Sequence, residues 1–135
     1  MQGWKRKTDP AVKFLQPWSR SAMHVPFSSQ ARLANSSLVF DALSKSLAII
    51  EFDPIGNILK ANENFCQAMG YRPDEIVGRH HSIFVEPIYA QSAEYKDFWR
   101  QLGSGTFDSR EYKRIGAGGR EVWIQATYNP VIDRR

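Results

Sequence analysis

Two adjacent imidazoles, His80 and His81, are the side chains in this sequence best suited to chemistry. A neutral imidazole can be an axial ligand to haem iron, or it can simply pack, cap or face solvent. Neighbouring residues on a short helix cannot both face one pocket, so only one of the pair can be a ligand, with His81 preferred. Two histidines without a third ligand at metal spacing do not make a zinc site. Ser82 adjoins His81 in sequence only, which is not the geometry of a nucleophile and its base. Glu51, Asp53 and Glu63 fall at strand ends and turns with no nucleophile beside them. Gly116-Ala117-Gly118-Gly119 lacks the Lys-Ser/Thr and following helix of a phosphate loop and reads as a hairpin turn. Cys66 sits among apolar neighbours and reads as a buried, inert thiol. No residue set supports turnover, so the chain is expected not to be an enzyme.

The elements that must position these residues centre on 50–71. Ile49, Ile50 and Phe52 read as strand, Asp53-Pro54-Ile55-Gly56-Asn57 as a tight turn, and Ile58, Leu59 and Ala61 as a second strand. Asn62 is a good N-cap for a helix carrying Phe65, Cys66 and Met69, stopped by Gly70. Pro73-Asp74-Glu75 opens a one-turn helix, and residues 79–85 form another short helical or irregular piece. Tyr95, Phe98, Trp99 and Leu102 recur at helical spacing over 92–102. Two strands follow, 106–115 and 121–132, the second alternating Val122, Ile124, Ala126 and Tyr128 against Trp123, Gln125, Thr127 and Asn129. Upstream, Leu38, Val39, Ala42 and Leu43 mark a helix over 31–46. Residues 1–30 read as an irregular basic tail with a helical turn near 11–15, and 47–135 as the folded domain. The fold class is α+β, with four readable strands.

Composition narrows the function classes. The net charge is +4, and residues 1–30 carry it entirely, with five basic residues against one acidic. The folded part is neutral, so Lys5-Arg6-Lys7 beside Trp4 is expected to be a solvated tail and no nucleic-acid partner is expected. No apolar run approaches the roughly 18 residues of a membrane span, and no signal peptide is readable. A single cysteine excludes an internal disulfide framework and fits a reducing, cytoplasmic setting.

The residues 61–71 (Ala-Asn-Glu-Asn-Phe-Cys-Gln-Ala-Met-Gly-Tyr), Asp74-Glu75-Ile76-Val77-Gly78, Glu94-Tyr95-Lys96-Asp97-Phe98-Trp99 and 122–130 (Val-Trp-Ile-Gln-Ala-Thr-Tyr-Asn-Pro) resemble, in this order, a PAS domain. Together they look like the PAS domain of soluble bacterial methyl-accepting chemotaxis proteins. The resemblance covers about 38–133. It implies a five-stranded antiparallel sheet with short helices on one face, a sensory role, and dimerisation through the flanking helix. It also implies a last strand lying centrally, between the strands at 50 and 121. The sequence stops at the preceding hairpin, so that strand is expected to be missing: either the chain is a truncated piece, or a partner chain or the N-terminal segment fills the gap.

On that resemblance, the expected cofactor site lies between helices and sheet and is formed by His81, His80, Phe84, Phe98, Ile124 and Tyr128. A small ligand or haem would sit there; haem would be held through His81, which would make the domain an oxygen or redox sensor. FAD is the runner-up, stacked on Trp99 or Trp123. Covalent flavin chemistry is disfavoured because Arg79-His80-His81-Ser82 stands where a cysteine is needed. A cofactor-free dimerisation module is the alternative. The expected partners are a second copy, with strand or helix exchange, and a downstream chemoreceptor signalling domain.

Overall fold

A computed structural model of the protein describes residues 12–14 and 29–131, with side chains described over 34–131. The elements are β1 (Val12–Phe14), α1 (Ser29–Ser46), β2 (Ile50–Phe52), β3 (Ile58–Ala61), α2 (Glu63–Met69), α3 (Pro73–Ile76), a 3-10 turn (His81–Phe84), α4 (Pro87–Ala90), α5 (Ala93–Gly103), β4 (Asp108–Ile115) and β5 (Glu121–Pro130).

Local sequence explains most of these boundaries. Asp53 closes the turn after β2, its carboxylate accepting from the Ile55 and Asn57 amides at 3.1 and 2.8 Å and from Asn57 Nδ2 at 2.8 Å. Asn62 caps α2 by accepting from Phe65 N, and Gly70 ends that helix at φ 77°. Ser92 caps α5 in the same way through Tyr95 N. The inward face of α5 buries Tyr95, Phe98, Trp99 and Leu102, as its spacing predicts.

The five strands form one antiparallel sheet in the order β3-β2-β1-β5-β4. Two expectations are corrected here. The last strand is not missing from the sheet but is replaced by an N-terminal one, which completes the five strands that the resemblance implies, and residues 12–14 form a strand where a helical turn was expected. Backbone demand explains the change. Without a strand between them, β2 and β5 would face each other across a row of unpaired amides and carbonyls. β1 fills that row, with Val12 opposite both Phe52 and Pro130, Lys13 opposite Glu51 and Asn129, and Phe14 opposite Tyr128. The N-terminal segment thus occupies the place that the resemblance assigns to the last strand. The rest of the expected tail, 1–11 and 15–28, lies outside the described residues, as does the end of the expected strand beyond 131. The flanking helix begins at Ser29, and its side chains Leu38, Val39 and Leu43 are exposed rather than packed on the domain.

The inner sheet face and the short helices enclose the core, which includes Ile50, Phe52, Phe65, Met69, Ile76, Phe84, Ile124, Ala126 and Tyr128. The alternation along β5 is resolved: Ile124, Ala126 and Tyr128 point into the core and Trp123 points out, 69% exposed.

Candidate functional site: a buried His–Tyr–Arg network

His81 enters the core because its backbone is stitched to the turn between β2 and β3. Its amide donates to Gly56 O at 2.8 Å, while Ile58 N donates to Arg79 O at 2.7 Å. Gly56, at φ 97°, lets the two segments approach; a Cβ there would stand 2.6 Å from His80 Nε2 and 2.9 Å from Trp99. His80 caps the 3-10 turn by accepting from Ser82 N at 3.1 Å, and its Nε2 lies 2.8 Å from Ile55 O. With a carbonyl as partner, Nε2 carries the proton. His80 therefore lies in an open surface groove of about 470 Å³ beside Ile55, Trp99 and Lys96, while His81 faces inward. The two histidines part as adjacent residues on a tight turn must.

His81 is 1% exposed and both its nitrogens are engaged. Nδ1 lies 2.9 Å from the Tyr95 hydroxyl and Nε2 lies 3.0 Å from the Tyr128 hydroxyl. Arg114 Nη2 donates to the same Tyr128 hydroxyl at 2.9 Å. Arg114 can only donate, so the arrangement in which the Tyr128 hydroxyl both accepts and donates has Tyr128 donating to His81 Nε2, and His81 Nδ1–H donating to Tyr95. Electrostatics agree with this proton count. Burial, then the nearby Arg114 charge, hold the His81 pKa well below its ordinary value, so the ring is neutral at pH 7. Burial pushes the Tyr95 phenol up to about 12 and raises that of Tyr128, so both stay protonated. Trp99 pulls the other way on Tyr95, but its buried indole N–H falls short of hydrogen-bond geometry and has no partner among the described residues.

Aromatic rings wall the imidazole. Phe52 and Trp99 stand edge-on at 5.3 Å, Phe84 and Tyr128 at 5.8 Å, and Tyr95 is stacked at 5.9 Å. Beside the network lies a cavity of about 10 Å³, room for about one water. His81, Arg114 and Tyr128 form its polar side, and Phe65, Met69, Phe84 and Ile124 are among its apolar walls.

Of the residues expected at the site, His81, Phe84, Ile124 and Tyr128 are brought together on this cavity. Phe98 stands behind it, 5.0 Å from the Tyr128 ring, and His80 lies outside it. Sequence reasoning missed Arg114 and Tyr95. Strand alternation carried the signal for Arg114: it shares the inward face of β4 with Tyr112, and its guanidinium stacks 4.2 Å over that ring.

The residues present do not fit haem in this arrangement. A haem ligand needs a free imidazole nitrogen and a slot for the macrocycle, whereas both nitrogens of His81 are hydrogen-bonded and the cavity has room for about one water. A flavin ring meets the same walls, and Trp123 is on the other face of the sheet. Among the described residues no group of three or more His, Cys, Asp and Glu side chains could hold a metal ion.

Comparison with known proteins decides the family. A family model described as the PAS fold matches residues 58–135, more than half of the sequence. The chain belongs to the PAS family. This PAS domain is also 51% identical over 92 residues to the biofilm dispersion protein BdlA of Pseudomonas aeruginosa. That match covers 68% of this chain and 22% of the relative, so the PAS chain spans only about a fifth of the protein it resembles. No described helix of the PAS domain is long and apolar enough to cross a membrane.

Proposed function

We propose that this PAS domain is the sensory input module of a chemoreceptor-type signalling protein, and that a small ligand in the cavity beside His81 is what it senses. The observation that carries the reading is a polar network, His81–Tyr128–Arg114, buried in an apolar core beside a cavity and drawn from three separate elements. Such a network costs stability unless every member is satisfied, and it converts a change in cavity contents into a change in packing. Phe65 gives the route outward. It lines the cavity and sits on α2, whose first turn holds the end of α1. Asn62 Nδ2 donates to Ser44 O and Leu47 O at 3.0 and 2.6 Å, and Asn64 Nδ2 to Lys45 O and Leu47 O at 3.2 Å each. A ligand that displaces Phe65 shifts α2, and α1 with it, provided it binds the two packings with different affinity.

The test is backbone-amide NMR on the full chain during titration with a panel of small molecules. Binding that moves Phe65 together with Ser44–Leu47 supports the reading; ligands that perturb the cavity and leave α1 in place would sink it.

A second reading, a cofactor-free dimerisation module in a second role or alone, has its own support. Leu38, Val39 and Leu43 are 67%, 51% and 41% exposed on α1, whose contacts with the domain concentrate on α2. Leu38→Glu with Leu43→Glu should reduce the mass seen by sedimentation if α1 pairs two copies, and a monomeric parent chain would end this reading.

A further inference from the structure

We infer that the cavity beside His81 receives a small monoanion, a carboxylate of formate or acetate size, held on the Arg114 guanidinium. The inference rests on the sensory reading above and names the chemistry of its ligand.

Arg114 is 5% exposed, yet it makes no ion pair among the described residues. The arginines that do pair, Arg72 with Asp74, Arg100 with Asp97 and Arg110 with Asp108, have side chains 59–75% exposed, where pairing gains little. The buried cation, which most needs a counter-charge, has none among the described residues. Its contacts are Lys113 O at 3.2 Å, the Tyr128 hydroxyl at 2.9 Å and the face of Tyr112, and its Nε–H is buried with no partner among the described residues. Nearby acids are committed elsewhere: Asp108 to Arg110 and the Tyr112 hydroxyl, Glu86 and Glu121 to Lys113.

The charge selects the ligand. Arg114 disfavours protonation of His81 and favours ionisation of Tyr128, so the polar side of the cavity is electropositive and excludes cations. Nε and Nη2 lie on one edge of the guanidinium. A carboxylate takes the Nε–H and shares the Nη2 edge with the Tyr128 hydroxyl, a charge-assisted fork that a neutral ligand cannot form. Size selects it further. As it stands the cavity has room for about one water, so three or four heavy atoms enter only as the adaptable Met69 on its wall gives way, and anything larger opens the core.

The experiment is thermal unfolding of the full chain in sodium formate or acetate, against sodium chloride at equal ionic strength and against formamide as the neutral counterpart. Formate or acetate should raise the melting temperature saturably, by about 5 °C at ten times the dissociation constant. Arg114→Met, which removes a buried unpaired charge, should melt no lower than the parent and lose the response. Arg114→Lys keeps the charge without the Nε–H, and should weaken the anion by about tenfold or more; it serves if the methionine variant does not fold. No carboxylate effect beyond chloride, or an equal effect in both variants, overturns the inference. If neutral ligands move Phe65 and α1 while carboxylates do nothing, the sensory reading stands and the anion inference falls. If carboxylates stabilise the chain through Arg114 and nothing moves Phe65 or α1, the anion site stands and the sensory reading falls.

Discussion

Asn62→Ala tests the junction on which the proposed signal depends. The side chain works in two directions. Its Oδ1 accepts from Phe65 N and from Ile49 N, both at 2.9 Å, and its Nδ2 donates to Leu47 O and Ser44 O. Alanine removes the α2 cap, worth about 1 kcal/mol. It also leaves the Ile49 amide, beside buried β2, without its partner, at a cost of about 1–3 kcal/mol. The lost donations cost less, because Asn64 Nδ2 also reaches Ser44 O and Leu47 O, at 3.3 and 3.2 Å. The sum is about 3 kcal/mol, a large share of the 5–15 kcal/mol typical of a domain. Urea unfolding followed by circular dichroism should show the midpoint falling by about 1.5 M for a slope near 2 kcal/mol per M. Asn62→Asp sharpens the test: it keeps both acceptor bonds but turns an anionic oxygen toward the Leu47 carbonyl, so it should not restore stability. A loss below about 1 kcal/mol in the alanine variant, or full recovery with aspartate, would refute the assignment of this residue as the link between α1 and α2.

Three further outcomes follow from the same geometry. His81 has a folded-state pKa well below its unfolded value of about 6.5, so the unfolded chain binds the extra proton as pH drops. Its contribution is intact above that value and is lost below it, by up to about 1.4 kcal/mol per pH unit until the folded pKa is reached; His81→Gln should flatten the stability–pH curve by that slope below pH 6.5 and leave the slope above it unchanged. Gly56→Ala should cost about 2 kcal/mol or more in urea unfolding, because the left-handed backbone and the His80 and Trp99 contacts both oppose a Cβ, and a neutral result would contradict the close approach that aims His81 inward. Trp99→Ala should cost about 3–5 kcal/mol by the same assay, while Trp123→Ala, on the outer sheet face, should stay within about 0.5 kcal/mol; equal losses would mean that the β5 faces are assigned the wrong way round.

Several features were fixed by the local sequence because the interactions that make them span only a few residues. Asp53, Gly56 and Asn57 close their own turn, Asn62 and Ser92 cap the helices that begin beside them, and the spacing of Tyr95, Phe98, Trp99 and Leu102 sets the buried face of α5 whatever packs against it. The strand alternation of β5 likewise grouped Ile124, Ala126 and Tyr128 on one side. Which side faced the core was another matter, since the period of two is symmetric and only the position of α5 breaks it. Sequence could do no more than prefer His81 over His80; the choice was made by Gly56 O, some 25 positions away, which takes the His81 amide and turns that ring inward. Tertiary structure alone decided two things. Residues 12–14 become a strand because β2 and β5 offer unpaired backbone groups on both sides, a demand written nowhere in the segment itself. Arg114 becomes a core residue because the inward register of β4 and the Tyr112 and Tyr128 rings hold its guanidinium there, against the ordinary preference of arginine for water.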